Sequence, residues 1–331
     1  VLEIKQNIEA NRAHGAWEIM GRAMLLTNYR FGAVDIQNKA IDFAKTPVVV
    51  LPSAKYLQQS VQEKLVDYVK KGGSLLVYGE LPLYDLEGKS CSILVDSLGV
   101  TYKHNRQSSS HYHLSVCAHG WAASRPEVRT DHAQTFALLA GQALFRVYGT
   151  DEVCGFEVNI GKGKVIAFTM NYRCDLALFQ TALERLGAAP QLSHDYSHHG
   201  IFMTSTRNVN KERFIHLINL DGFDKQFHVM DRGVPLFEGK LLTLTSREGL
   251  MLPLNLQLER MVIKYATAEI HGIHRNRIEF RLTQAEDVIK IETQRAVLPS
   301  ADFSVQRQGN QVLITSKKHS KVDDYLEVRF Q

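Results

Sequence analysis

Three stretches of this chain carry residues whose types and spacing permit chemistry, and each permits a different kind. The first is the turn Val77-Tyr78-Gly79-Glu80-Leu81-Pro82, which follows a strand-like run. Ligands of open α/β sheets collect outside the carboxyl ends of the strands, and a nucleophile elbow would set a serine or cysteine on such a turn. Glu80 stands there and offers neither hydroxyl nor thiol, and Cys91, the nearest cysteine, falls inside the following helix. The turn therefore reads as a degenerate elbow without an activated nucleophile.

The second stretch is His111–Val128, HYHLSVCAHGWAASRPEV. His111 and His113 on one strand face, with Cys117 or His119, have the chemistry of metal ligands but lack a full ligand signature, so no metal or cofactor is expected. Cys117 with His119 or His113 would be a thiol–imidazole pair, although it lies away from the elbow. Trp121 offers a ring for a sugar face, with Arg125 and Glu127 to bind hydroxyls. These three are the candidate ligand or partner contacts, against the plainer reading of a polar surface insertion. The third set is the carboxyls. Glycosidic cleavage with retention needs two of them about 5 Å apart. Glu80, Asp85, Glu127 and Glu157 show no pairing by spacing, and Glu269, Glu279, Glu292 and Glu327 fall on alternating strands that favour solvation. No catalytic residue is assigned. Gly72-Gly73 and Gly161-Lys162-Gly163-Lys164 precede strands rather than helices, so they are turns and not phosphate cradles.

The elements that must position these groups fall into two rhythms. From Arg22 to 193, strand-like runs alternate with helical ones, as in a doubly wound, mostly parallel sheet. The short apolar run Ala23–Thr27 precedes a helical pattern on Ile36, Ala40, Ile41 and Phe43. Pro47–Leu51, Ser74–Tyr78 and Lys164–Met170 are continuous apolar strands. Between them Ser60 and Glu63 have the spacing of a capping box ahead of Val61, Leu65, Tyr68 and Val69, and Gly72 sits at a C-terminal cap. A short helix over Cys91–Leu98 closes at Gly99. Asp175 caps a helix carrying Leu176, Phe179, Leu183 and Leu186. Residues 102–161 break the rhythm as a β-rich insertion, and residues 1–21 form a lead-in. From 199 onward the pattern is antiparallel β: a small domain over 199–257 and a sandwich over 258–331, with Met251–Leu254 as the seam. Phe214–Leu220, Leu241–Thr245, Met261–Ile270, Arg277–Thr283, Asp287–Thr293 and Asp323–Phe330 are its strands. Phe303–Ser316 is a hairpin turning at Gly309-Asn310.

The chain has 331 residues, 22% of them charged, and a formal net charge of +4. That is ordinary globular usage for two or three domains, with no basic lobe for a nucleic-acid partner. No apolar run approaches the ~18 residues of a membrane span, so no membrane partner is expected. Four cysteines without C-x-x-C spacing read as reduced thiols in a cytoplasmic protein. The chain starts at Val1 rather than Met and shows no signal-like stretch, so it reads as part of something longer.

The run VVVLPSAKYLQQSVQEKLVDYVKKGGSLLVYGELPLYD (Val48–Asp85) resembles the glutamine-amidotransferase-like domain of bacterial β-galactosidases of glycoside hydrolase families 42 and 35. The matching features are Leu51-Pro52 at the end of a strand, then Tyr68-Val69 and Gly72-Gly73 ahead of the next one. IGKGKVIAFTMNY (Ile160–Tyr172) is similar to the closing strand of that domain, and FIHLINL (Phe214–Leu220) to the Asn-bearing strand of the small β-domain that follows it. The resemblance covers about 22–254. It implies the C-terminal accessory region of a sugar-cleaving hydrolase, whose catalytic barrel would be a separate partner carrying both glutamates. It further implies a lost cysteine nucleophile, matching Glu80, and homo-oligomer contacts. A galactoside or polysaccharide contact is the alternative role, and a stand-alone Cys/His hydrolase a third.

Overall fold

The structure is a computed structural model that describes residues 16–33, 36–37, 45–123, 127–171, 175–317 and 324–331. Among the described residues, those up to Leu25 and those from 30 to 189 form one compact unit, and 26–29 with those from 190 onward form the other.

The described chain opens with helix α1 (Ala16–Leu26). Met20 and Ala23 are buried while Glu18, Arg22 and Leu25 face solvent. That three-residue period makes most of the apolar run at Ala23–Thr27 helical and extends helix into the expected lead-in. The helical pattern expected through Ala40, Ile41 and Phe43 lies outside the described residues. Strand β1 (Val48–Ser53) leads to α2 (Gln59–Lys70), whose Val61, Leu65, Tyr68 and Val69 are buried as expected. The capping box does not form. Gln58 takes the N-cap position without a side-chain bond, so Ser60 is already helical, and Glu63 accepts instead from Gln59 Nε2 at 2.9 Å.

After α2 the Tyr-Val-x-x-Gly-Gly pattern has a steric cause. The Tyr68 ring lies over Gly73, where a β-carbon would come within 2.2 Å of it. The Tyr68 hydroxyl reaches the carbonyls of Thr46 and Ser74 at 2.8 and 3.3 Å, and burial pushes its pKa up to about 12. Strand β2 (Ser74–Gly79) and α3 (Ile93–Ser97) follow, then β3 (Val100–Gln107), β4 (Leu114–Ala118), β5 (Glu127–Thr130) and β6 (His132–Leu138). The unit closes with β7 (Gln142–Val147), β8 (Val153–Ile160), β9 (Gly163–Phe168) and α4 (Leu176–Arg185). Asp175 caps α4 as expected, accepting from the amides of Ala177 and Leu178 at 3.0 and 3.4 Å.

All nine strands belong to one curled, mixed sheet. Parallel pairing is confined to β1–β2 and β2–β9; the path then runs antiparallel through β8, β7, β4 and β5, with β6 and β3 branching from β8. The mostly parallel sheet read from the sequence is therefore only three strands wide. The supposed insertion extends the same sheet, because short turns such as Gly161-Lys162 can only join antiparallel neighbours. Leu65, Leu75, Val77, Phe136, Phe156 and Val165 share the core beneath it.

In the second unit a seven-stranded antiparallel sheet runs in the order Ile201–Arg207, Arg213–Asn219, Gly249–Leu258, Met261–Ala266, Val288–Glu292, Gln311–Ser316 and Phe303–Gln308. Its later half faces a three-stranded sheet of Glu269–Ile273, Arg277–Arg281 and Tyr325–Arg329 across Ile263, Ile291, Phe280 and Val328, as a sandwich. Its earlier half covers a separate core around Ile215, Leu217, Phe227 and Leu252. Met251–Leu254 is not a seam but the middle of a ten-residue strand. Pro253 is tolerated there because the ladder to Met261–Ala266 begins only at Leu254, leaving the proline paired on one side, opposite Phe214. Met261–Ile270 is two strands in different sheets, and the Phe303–Ser316 hairpin turns at Gly309-Asn310 as read.

Candidate functional site

The degenerate elbow comes first. Gly79 ends β2 with φ +105°, and a β-carbon there would lie 2.3 Å from the Ser53 carbonyl oxygen, so only glycine lets β1 and β2 finish this close together. The next residue, Glu80, puts its carboxylate 3.1 Å from His132 Nε2 and 3.3 Å from Asn105 Nδ2. Leu81 N–H donates to Gln134 Oε1 at 2.7 Å, and Gln134 Nε2 donates back to the Leu81 carbonyl at 3.0 Å. The elbow is thus latched to β6 and β3 through side chain and backbone. His132 is 7% exposed, which leaves little room for a reacting atom beside its ring. His132, Asn105 and Gln134 escaped the sequence reading, since a polar residue in the alternating run His132–Leu138 looks like any outward position.

Trp121 sits in a short 3-10 turn, half-buried, and its indole N–H donates to Glu157 Oε2 at 2.8 Å. Arg185 approaches the same carboxylate at 2.9 and 3.2 Å, and Lys164 at 3.0 Å. The Arg185 guanidinium also lies 5.3 Å from the Trp121 ring centre, and Phe168 meets that ring edge-on at 6.3 Å. Burial alone would raise the Glu157 carboxyl, yet Arg185, Lys164 and the Trp121 N–H together hold it below the ordinary glutamate range. Trp121 is therefore closed into a structural cluster with Glu157 rather than turned to solvent as a stacking ring.

Arg125 lies outside the described residues. Glu127 is exposed at the start of β5, taking a hydrogen bond from Ser115 Oγ and an ion pair from Arg129 at 2.9 Å. Glu127 and Trp121 thus bond to different partners. In register, Cys117 of β4 stands opposite Glu127 on one side and Arg146 of β7 on the other, so these three share a sheet face. Cys117, His119, Arg146, Tyr148 and Asp151 line a shallow pocket of about 320 Å³ on it. His113 leaves this group for Asp131, its Nδ1 at 2.8 Å from Oδ1. Among the described residues no three His, Cys, Asp or Glu gather as metal ligands.

In the second unit Lys225 is fully buried, ion-paired with Asp221 and flanked by the Tyr196 and Phe223 rings at 5.5 and 5.3 Å. His194, read as linker, belongs to a short strand; burial, then His199 and Lys225, push its pKa down to about 4. The four glutamates singled out in this unit have basic partners: Glu269 with Arg281, Glu279 with Arg277 at 3.0 Å, Glu292 with Lys264 at 2.5 Å, Glu327 with Arg329.

No helix among the described residues is long and apolar enough to cross a membrane. The exo-β-D-glucosaminidase of Pyrococcus horikoshii is 25% identical over 303 residues, a match covering 88% of this chain and 37% of that one. The β-galactosidase of Rahnella sp. R3 superposes with a TM-score of 0.57 at 15% identity, covering 72% of this chain and 36% of that one. The β-galactosidase of Bacillus circulans gives a TM-score of 0.56 at 13% identity, over 72% and 37%. The chain thus spans little more than a third of the length of each. Residues 2–136 match the family described as GLMA-like, second domain, and the fold across most of the chain is shared with part of these larger β-galactosidase chains.

Proposed function

We propose that this chain is a non-catalytic support and assembly region of a β-galactosidase-like or β-glucosaminidase-like glycoside hydrolase. Its partner would be a catalytic barrel on the same polypeptide, and its surfaces would contribute to a homo-oligomer. The observation that carries this reading is the inward commitment of Glu157 and Glu80. Glu157 is neutralised by Arg185 and Lys164, and Glu80 is latched to His132, so neither is presented to a substrate as an acid or nucleophile. The three parallel strands with α2 and Gly79 are what an amidotransferase-like sheet would retain after losing its nucleophile, and the units of 22–193, 199–257 and 258–331 would be its modules.

The test is to assay the purified 331-residue chain on chromogenic β-galactoside and β-glucosaminide, with light scattering alongside. The expected outcome is no turnover and self-association. Turnover that disappears in Glu80→Gln or Glu127→Gln overturns the reading.

A further inference from the structure

The geometry points to a saccharide-binding subsite on the outer face of β5, β4 and β7, with Tyr148 as the stacking ring and Arg146 and Glu127 as the polar contacts. It extends the reading above by giving the support region a direct grip on sugar.

The site follows from register. In antiparallel strands directly paired residues share a face, and so do residues two apart on one strand. Glu127, Cys117 and Arg146 form one row across the three strands. Ser115 and Arg129 form the adjacent row, and Tyr148 N–H extends it by donating to the Ser115 carbonyl at 3.0 Å. Tyr148 stands at the tip of the turn into β8 and is 70% exposed, above a backbone that the turn fixes. The turn is pinned by Thr150 N–H and Oγ1 on the Val147 carbonyl, at 3.1 and 3.0 Å, and by Val147 N–H on Glu152 at 3.0 Å. Arg146 is anchored through one N–H on the Asp151 carbonyl at 2.9 Å, and a guanidinium carries five donors. The backbone that carries the ring, and the cation itself, are therefore held in place before any ligand arrives, which lowers the entropy lost on binding.

The chemistry selects a sugar over other ligands. A pocket of about 320 Å³ lies at the small end of the ligand range of roughly 300–1,000 Å³ and suits one or two hexosyl units. An anion would share this face with two acidic residues, Asp151 in the pocket lining and Glu127 across Cys117 from Arg146. A pyranose instead lays its C–H face on a flat ring and offers hydroxyls that both donate and accept, matching an exposed tyrosine ringed by groups of both kinds.

The test is calorimetric titration of the 331-residue chain with millimolar lactose and, separately, the β-1,4-linked disaccharide of glucosamine. Millimolar binding of at least one is expected. Tyr148→Ala should weaken it by ~10-fold or more, and Arg146→Met several-fold, while Tyr148→Phe, which keeps the ring, and Tyr325→Ala, in the second unit, should bind as before. Absence of heat with both disaccharides overturns the subsite. So does binding unchanged by Tyr148→Ala or abolished by Tyr148→Phe. Failure is separable from failure of the support role: turnover by the chain breaks that role whatever Tyr148 does, and silence in both titrations without turnover breaks only the subsite.

Discussion

Glu157 on β8 and Glu127 on β5 belong to one sheet, and each lies near an aromatic residue and an arginine. Glu157 is 9% exposed and takes three donors, two of them cationic, with the Trp121 ring wrapped by Arg185 and Phe168. Glu127 is exposed, shares itself between Ser115 and Arg129, and looks across Cys117 to Arg146 and the open ring of Tyr148. Residue type does not separate the two groups; depth does. Below the surface, charge must be neutralised within the protein, so the cluster is fixed and contributes stability. At the surface water solvates what the protein leaves unpaired, so the same residue types stay available to a ligand.

The sharpest way to break the comparison is to remove the two rings in turn. Trp121→Ala deletes a half-buried indole together with its bond to Glu157, and the expected loss is about 3 kcal/mol. In the same urea titration, Tyr148→Ala should lower the unfolding free energy by less than about 0.5 kcal/mol. Equal losses would mean that the two rings are not differently placed. Glu157→Gln comes next. It leaves Arg185 and Lys164 without their anion, and because both are about one-third exposed the expected loss is about 2 kcal/mol, short of the cost of breaking a fully buried pair.

Much of the scaffold that places these groups was legible in local pattern. The apolar run after Pro47, the face of Leu65 and Val69, the Asp175 cap and the Gly309-Asn310 turn act over a few residues and stand where the sequence puts them. The misses are tertiary. Pro253 reads as a break until one sees that a strand lies on only one side of it. Ser60 and Glu63 have the spacing of a capping box, but the helix begins a residue ahead of Ser60. The site was misread for the same reason. Trp121 and Glu157 are 36 positions apart, and their bond depends on how β8 pairs with β7. Tyr148 carried a weaker signal: an aromatic at a Tyr-Gly-Thr-Asp turn, just past an alternating strand, has no core to enter.

Acid titration sharpens the comparison further. The Glu157 carboxyl is held below its ordinary range, so its contribution is complete above the unfolded-state value near 4.5 and is lost as pH falls through the lower folded value. The stability gap between the wild type and Glu157→Gln should therefore close as the pH is lowered from neutral to well below the ordinary glutamate range. A gap that stays constant would show that the cluster does not act through charge. His194 contributes in the same direction, over a window above that one. Its pKa is pushed down to about 4, so the stability from keeping it neutral is full above its ordinary value of 6.5 and declines as pH falls toward 4. His194→Gln should flatten that part of the stability curve.

The smallest expected effect belongs to Glu127. Its ion pair with Arg129 joins side chains 45% and 62% exposed, so solvent screens it and Glu127→Gln should change the unfolding free energy from urea titration by less than about 0.5 kcal/mol. The same substitution removes a carboxylate that accepts from Ser115 and faces the pocket row, so binding of a disaccharide should weaken several-fold while the fold is unmoved. The opposite pattern, a stability loss with binding intact, would place Glu127 with Glu157 as a structural anion and erase the distinction between the two carboxylates.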